Sequence, residues 1–393
     1  MTSQPSMSAI SDALAQRMVA LRRDLHAHPE LSMQEIRTGR VIADGLRAAG
    51  YDVTTGVAET GVIATLRGAR PGRHIVLRAD MDALPLQEAT GLPYASQTPD
   101  VMHACGHDGH TAMLFGAALA LREQPPAYGQ VTFLFQPAEE KSGGARRVMD
   151  GQWLKEPELF FAFHIDPRHP VGEVVVQSGP VSGWQDSVTV EVRGKGGHAA
   201  RPHLAVDAIL LAADFLVMAQ SAVSRRANPA AAAVFTIGNI QGGQAANIIA
   251  DHVTLRGTLR TQEPSTRQAI IDALQGLAAN LGQSRGGQIT VTIREGAPAV
   301  INSEPAVGLA RAAAAAVVGE KGIVGLLEPN LASEDFSYYL THAKGCYMRL
   351  GARIGTADNP PIHSATFNFD EAALRVGAAI WVQLAQQATV TGA

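Results

Sequence analysis

Nine residues, Met102-His103-Ala104-Cys105-Gly106-His107-Asp108-Gly109-His110, hold three histidines, a cysteine and an aspartate. Thiolate, imidazole and carboxylate are the groups that bind transition-metal ions. Cys105 and His107 stand two apart, like the ends of a clip, and Gly106 between them lets the backbone bend. A second set of such residues lies downstream at Glu139-Glu140, His164 and His363. A site assembled from distant segments is the usual build of a hydrolytic metal centre. Cys105, His107, Glu140, His164 and His363 suit two divalent ions that share ligands and leave positions open for water and substrate. Their ligand types are compatible with Mn2+, Zn2+, Co2+ or Ni2+ and do not choose among them. His103 and His110 flank the clip as supports for the ligands, with the start of the next helix the other place for His110.

The glutamate pair follows an apolar run, Phe133-Leu134-Phe135-Gln136-Pro137-Ala138. Neighbouring side chains on extended backbone point opposite ways. One carboxylate then ligates while the other faces the reacting water. Metal binding lowers the pKa of water from 15.7 to about 7. A carboxylate within hydrogen-bond reach takes the proton and passes it to a leaving nitrogen.

These groups need a frame. Ile10, Leu14, Met18, Leu21 and Leu25 recur at three- and four-residue steps and predict a helix over 8–28. A second helix is expected over 34–49, stopping at Gly50. Strands at Val62–Leu66, His74–Ala79, Val131–Phe135 and Leu159–Phe163 alternate with a helix at Thr111–Glu123. That alternation predicts an α/β unit with a largely parallel central sheet and helices on both faces. Asp80 ends one strand, the glutamate pair follows another and His164 ends a third. Ligand crevices of open α/β sheets lie beyond such strand ends.

Residues 183–297 read differently, as strand, helix, two strands, helix and strand. This is the order of a ferredoxin-like α+β unit. The expected organisation is a discontinuous catalytic domain, 1–182 and 298–393, interrupted by the 183–297 unit. Gly183 and Gly296, near the two crossings, could absorb dihedral change as the insert moves.

Composition narrows the function classes. The net charge of −4 offers no electrostatic footprint for nucleic acid. The strands Ser187–Arg193 and Ala231–Gly238 of the insert offer only Phe235 as an aromatic, so an RNA-binding sheet face is rejected. Two cysteines rule out a disulfide framework, and Cys346 reads as a small buried hydrophobe. The first residues, Met1-Thr2-Ser3-Gln4-Pro5-Ser6, lack a basic segment followed by an apolar one, and no run of 18 apolar residues occurs. A cytoplasmic protein without membrane partners is the expectation.

The ordered motifs resemble the M20 metallopeptidase family, in its amidohydrolase branch of hippurate, N-acyl-amino-acid and indole-acetyl-amino-acid hydrolases. They are Asp24-Leu25-His26-Ala27-His28-Pro29-Glu30-Leu31, Arg78-Ala79-Asp80-Met81-Asp82-Ala83-Leu84-Pro85 and Met102–His110. Gln136-Pro137-Ala138-Glu139-Glu140, Gly194-Lys195-Gly196-Gly197-His198-Ala199-Ala200 and Ser333-Glu334-Asp335-Phe336 follow. The resemblance implies metal ligation by Cys105, His107, Glu140, His164 and His363, with Glu139 as general base and Asp80 orienting a ligand. It makes 183–297 a lid and dimerisation domain, through which a homodimer or homotetramer forms. In it His198 supports the oxyanion, while Asn247 and Arg260 hold the substrate's carbonyl or carboxylate. The implied reaction is hydrolysis of a small N-acyl amino acid to a carboxylate and a free amino acid. A dipeptidase or carboxypeptidase of the same family, or a metal-binding relative without turnover, is the alternative.

Overall fold

The apolar runs at the centre of the first unit become strands buried on both faces, as continuous rather than alternating hydrophobicity requires. The computed structural model describes residues 9–141, 143–356 and 359–390. The N-terminal hexapeptide and residue 8 of the first expected helix lie outside them. In chain order the first unit contains α1 (Asp12–Ala27), α2 (Ile36–Ala48), β1 (Val53–Val57), β2 (Gly61–Arg67), β3 (Arg70–Asp80), α3 (His107–Glu123), β4 (Tyr128–Gln136), α4 (Gly144–Asp150), β5 (Leu159–Pro170) and β6 (Val174–Val175). The chain then enters a second unit: β7 (Trp184–Arg193), α5 (Ala208–Arg226), β8 (Ala233–Gly242), β9 (His252–Thr261), α6 (Pro264–Ser284) and β10 (Gln288–Arg294). It returns through α7 (Glu304–Val318), β11 (Ile323–Val324), β12 (Lys344–Arg353) and α8 (Ala372–Ala388).

Among the described residues the first unit's sheet has eight strands in the order β1-β2-β4-β3-β5-β12-β6-β11. The middle pairs β4-β3, β3-β5 and β5-β12 are parallel. Antiparallel pairs sit toward the edges, at β1-β2, β2-β4 and β12-β6. Phe133, Phe135, Phe161, Phe163 and Trp381 are buried in one core with α3 and α8. Removing a ring of this kind costs about 3–5 kcal/mol, so the sheet that carries the site is firmly held. β5 runs seven residues beyond Phe163, which places His164 inside the strand rather than at its end. The parallel partner β12 continues alongside and keeps β5 paired there.

The second unit is a four-stranded antiparallel sheet, β8-β9-β7-β10, with α5 and α6. Its βαββαβ connectivity is the ferredoxin-like order expected from sequence. Val188, Val190 and Val192 share its core with Phe215, Leu255 and Leu274. The first unit comprises 1–179, 300–327 and 335–393; the second comprises 180–299 and 328–334. The short 328–334 stretch belongs with the insert because Arg260 Nη1 donates to the Leu331 carbonyl at 2.9 Å and Gly183 N–H to that of Ala332 at 2.9 Å. Gly296 serves close approach there: a Cβ would stand 2.1 Å from the Gln185 carbonyl oxygen. Helix α5 is long and apolar enough by length and composition to cross a membrane. Leu211, Ala212, Phe215 and Ala219 on it instead fill this unit's core.

Candidate metal centre

Gly106 adopts φ 86° immediately before α3, a left-handed conformation that glycine reaches without steric cost. The bend turns Cys105 and His107 toward one place. Ligand atoms of Cys105, His107 and His164 lie within 4.8 Å of one another, as do those of Cys105, Glu140 and His363. A third set joins His107, Glu139 and Glu140 within the same limit. Thus all five sequence-identified ligands and Glu139 converge, with Cys105, His107 and Glu140 shared between sets.

The imidazoles are oriented from behind. His107 Nδ1 lies 3.3 Å from Asp82 Oδ1, and His164 Nδ1 lies 2.7 Å from the Ile165 carbonyl oxygen. Both partners are acceptors, so each Nδ1 carries a proton and each Nε2 is the nitrogen left to face a metal. His164 Nε2 then faces Cys105 Sγ at 3.3 Å, and His107 Nε2 faces Glu140 Oε1 at 3.9 Å. His363 reaches Glu140 Oε1 at 3.5 Å through Nε2. Its N–H donates to the Ala104 carbonyl at 2.7 Å, which ties its loop to the Cys105 segment.

Two buried atoms in this cluster, His107 Nε2 and Glu140 Oε1, have no hydrogen-bond partner among the described residues. Buried polar atoms without partners are costly, and a cation ligated by both satisfies them. Burial, then the Glu140 charge, pushes the Cys105 thiol well above its ordinary value. Thiolate ligation therefore requires a metal cation to stabilise the ionised sulfur. With no cation bound, burial lowers the basicity of His107, but the Asp80 charge outweighs it and raises the net value well above normal, so a metal bound at Nε2 displaces a proton there. Burial, His110 and Arg349 hold His164 well below its ordinary value, so it stays neutral. The donor set fits a pair of divalent cations.

Asp80, at the end of β3, accepts from His110 Nδ1 at 2.6 Å and Arg78 Nη1 at 2.7 Å and lies 3.7 Å from His107 Nε2. His110 Nε2 in turn accepts the Ile165 N–H at 2.8 Å, so this histidine is fully occupied in holding β5 to α3. The carboxylate on His107 Nδ1 is that of Asp82, which sequence reading did not single out. Asp82 also accepts the N–H groups of Glu139 at 3.1 Å and Glu140 at 3.0 Å. Its sequence signal is its place two residues after Asp80, inside the Arg78–Pro85 motif.

The two glutamates do not diverge as extended backbone would require. Ala138 takes φ 54°, and its carbonyl accepts the Gly144 N–H at 3.1 Å, forming a turn. Glu35 Oε1 holds the Ala138 N–H at 2.8 Å. Both glutamates consequently offer an oxygen toward His107. Glu139 is 9% exposed, and its Oε1 accepts the Asp335 N–H at 3.4 Å. His103 is buried, with both ring nitrogens unpartnered among the described residues and its basicity lowered to about 4, mainly by burial.

In the second unit, exposed His198 and Asn247 line one cavity of about 840 Å³, together with Gln241, Gln244 and Asp251. His198 pairs in register with Ile248, and its Nδ1 accepts the Ala200 N–H at 3.1 Å. Arg260 is not part of that lining and binds the Leu331 carbonyl.

A fold with clustered N, S and O donors beside a buried carboxylate defines a metal-dependent hydrolase. The chain belongs to peptidase family M20/M25/M40, whose pattern matches residues 76–387, and it is a metal-dependent amidohydrolase. It is 38% identical over 364 residues to an N-acetyl-L-cysteine deacetylase of Bacillus subtilis, covering 92% of this chain and 85% of the relative. It is 35% identical over 367 residues to a hippurate hydrolase of Campylobacter jejuni, covering 93% and 94%. Its fold matches the crystal structure of the Bacillus subtilis YxeP protein, a dinuclear metal-binding peptidase from the M20 family. The TM-score is 0.86 at 32% identity, over 97% of this chain and 100% of the other.

Proposed function

We propose that the chain hydrolyses the amide bond of N-acyl amino acids, releasing a carboxylate and a free amino acid. The observation carrying this reading is Glu139: a buried carboxylate whose oxygen lies within 4.8 Å of the His107 and Glu140 donor atoms. In this reading Cys105, His107, Glu140, His164 and His363 hold two divalent cations. Bound there, the cations polarise the amide carbonyl and lower the pKa of the attacking water. Glu139 takes the water's proton and delivers it to the leaving nitrogen, while the Asp335 N–H fixes its carboxylate. His198 supports the oxyanion in this reading, and Asn247 and Arg260 hold the substrate's carbonyl or carboxylate. The deacetylase and hippurate hydrolase relatives support the N-acyl choice.

The test uses chelator-stripped protein reloaded with Mn2+, Zn2+, Co2+ or Ni2+ and given acetyl-, benzoyl- and indoleacetyl-amino acids and dipeptides. Cleavage of dipeptides alone overturns the substrate class. A homodimer is part of the same proposal, with a second copy on the lid. There α5 exposes 57% of Leu210 and 74% of Val217, and β8 exposes 58% of Ile240. β8 is also an edge strand, open to pairing with another chain. A sedimentation mass of one chain overturns it.

A further inference from the structure

Arg349 on β12 stands in register with His164 on β5, in a parallel pair. Residues paired across a ladder point to the same face of a sheet. Tyr347, two residues earlier on that face, has its ring centroid 6.3 Å from that of His164. A guanidinium thus lies on the sheet face that carries one of the proposed ligands. Its only ion-pair partner among the described residues is Asp166, reached by Nη1 at 3.3 Å.

That pairing leaves Arg349 with charge to spare. Asp166 is already gripped by Arg168, whose Nε reaches Oδ1 at 3.0 Å and Nη2 reaches Oδ2 at 2.8 Å. Two guanidiniums share one carboxylate, so the group keeps a net charge of about +1 at neutral pH. Arg349 also keeps a buried Nε–H without an acceptor among the described residues, and its side chain is 12% exposed. A buried, unsatisfied donor on a cation is costly, and a planar guanidinium is shaped for a carboxylate. Nothing in the chemistry assigned to Glu139 and the five ligands uses it.

We propose that Arg349 is a specificity-determining residue that pairs with a carboxylate of the substrate close to the scissile amide. Two sources offer that group: the α-carboxylate of the amino acid, or a carboxylate at the end of a dicarboxylic acyl chain such as succinyl. The proposal rests on the amidohydrolase reading and adds a charge requirement to it.

The experiment compares wild type with Arg349→Met and Arg349→Lys in the metal-loaded enzyme. Substrates are an N-acetyl amino acid, its amide lacking the α-carboxylate, and the N-succinyl amino acid. Arg168 keeps Asp166 paired in the variants, so folding should survive, and an unchanged melting temperature and metal content check this. If the α-carboxylate is the partner, Arg349→Met lowers kcat/KM for the acetyl and succinyl amino acids by about 10- to 100-fold and spares the amide. If the acyl carboxylate is the partner, only the succinyl substrate loses that factor. Arg349→Lys recovers part of either loss. Equal effects on all three substrates, or none, overturn the proposal. A dipeptide and its C-terminal amide run alongside. If wild type cleaves only these, the N-acyl reading fails and Arg349 is judged on that pair by the same rule.

Discussion

Asp82→Asn is the substitution that most directly tests how the metal centre is held. The Asp82 carboxylate is 1% exposed and receives four donors. Oδ1 takes His107 Nδ1–H and the Glu139 N–H; Oδ2 takes the Ser32 hydroxyl at 2.6 Å and the Glu140 N–H. An asparagine has one acceptor oxygen and one NH2. With the NH2 in place of Oδ1, His107 must present a lone pair at Nδ1 and carry its proton on Nε2, which ends ligation. With the NH2 in place of Oδ2, Ser32 rotates to accept and only the Glu140 N–H is orphaned, at about 1–3 kcal/mol. The second arrangement is the cheaper, so the variant should fold with a loss of about that size. The negative charge behind His107 is gone in either case. Loss of such a ligand-orienting partner weakens metal binding by about 10- to 100-fold. Calorimetric titration of the stripped protein with Mn2+ or Zn2+ reads this directly, with kcat on the reloaded enzyme alongside. Ser32→Ala is the control: it removes one neutral hydrogen bond and should leave metal affinity unchanged. Wild-type affinity and wild-type kcat in Asp82→Asn would refute the orienting role.

Two further outcomes follow from the same geometry. Glu139→Gln should bind metal like wild type and lose about 10²- to 10⁴-fold in kcat, the range for a general acid–base; a variant with native turnover removes Glu139 from the chemistry. His74 accepts the Thr132 hydroxyl at Nε2 (2.8 Å) and faces the Lys155 carbonyl through Nδ1 (2.9 Å), and burial lowers its basicity. A depressed folded value means the unfolded chain binds the extra proton first. This contribution to stability is therefore present above the unfolded value of about 6.5 and is lost as pH falls through the folded one. Thermal melts of His74→Gln between pH 7.5 and 5 should show a flatter pH dependence than wild type, and parallel profiles would contradict this.

What the sequence disclosed, and what it hid, divides along physical lines. Cys105 and His107 were legible because they are contiguous and because Gly106 marks a bend. The central strands were legible because burial on two faces leaves an unbroken apolar run. Asp82 was not, because the path of the chain after Asp80 depends on distant acceptors and donors: Ala83 N–H binds the Glu30 carbonyl, and Leu84 pairs with Met102. The glutamates were misdirected for a similar reason. A positive φ at a non-glycine residue such as Ala138 leaves no trace in residue type, and it is stabilised here by Glu35, a residue 103 positions away. The same holds for 328–334, whose tie to the insert joins the Leu331 carbonyl to Arg260 and the Ser333 hydroxyl to Gln185, pairings between residues far apart in the chain. Ligand identities can thus be read from side-chain chemistry, whereas the groups that aim them are set by long-range backbone geometry. In this chain the aiming falls on Asp82: a single buried carboxylate that fixes the tautomer of His107 and, through two backbone N–H groups, the place of both glutamates. Metal affinity and base position are therefore coupled through one side chain, and perturbing it should move both together.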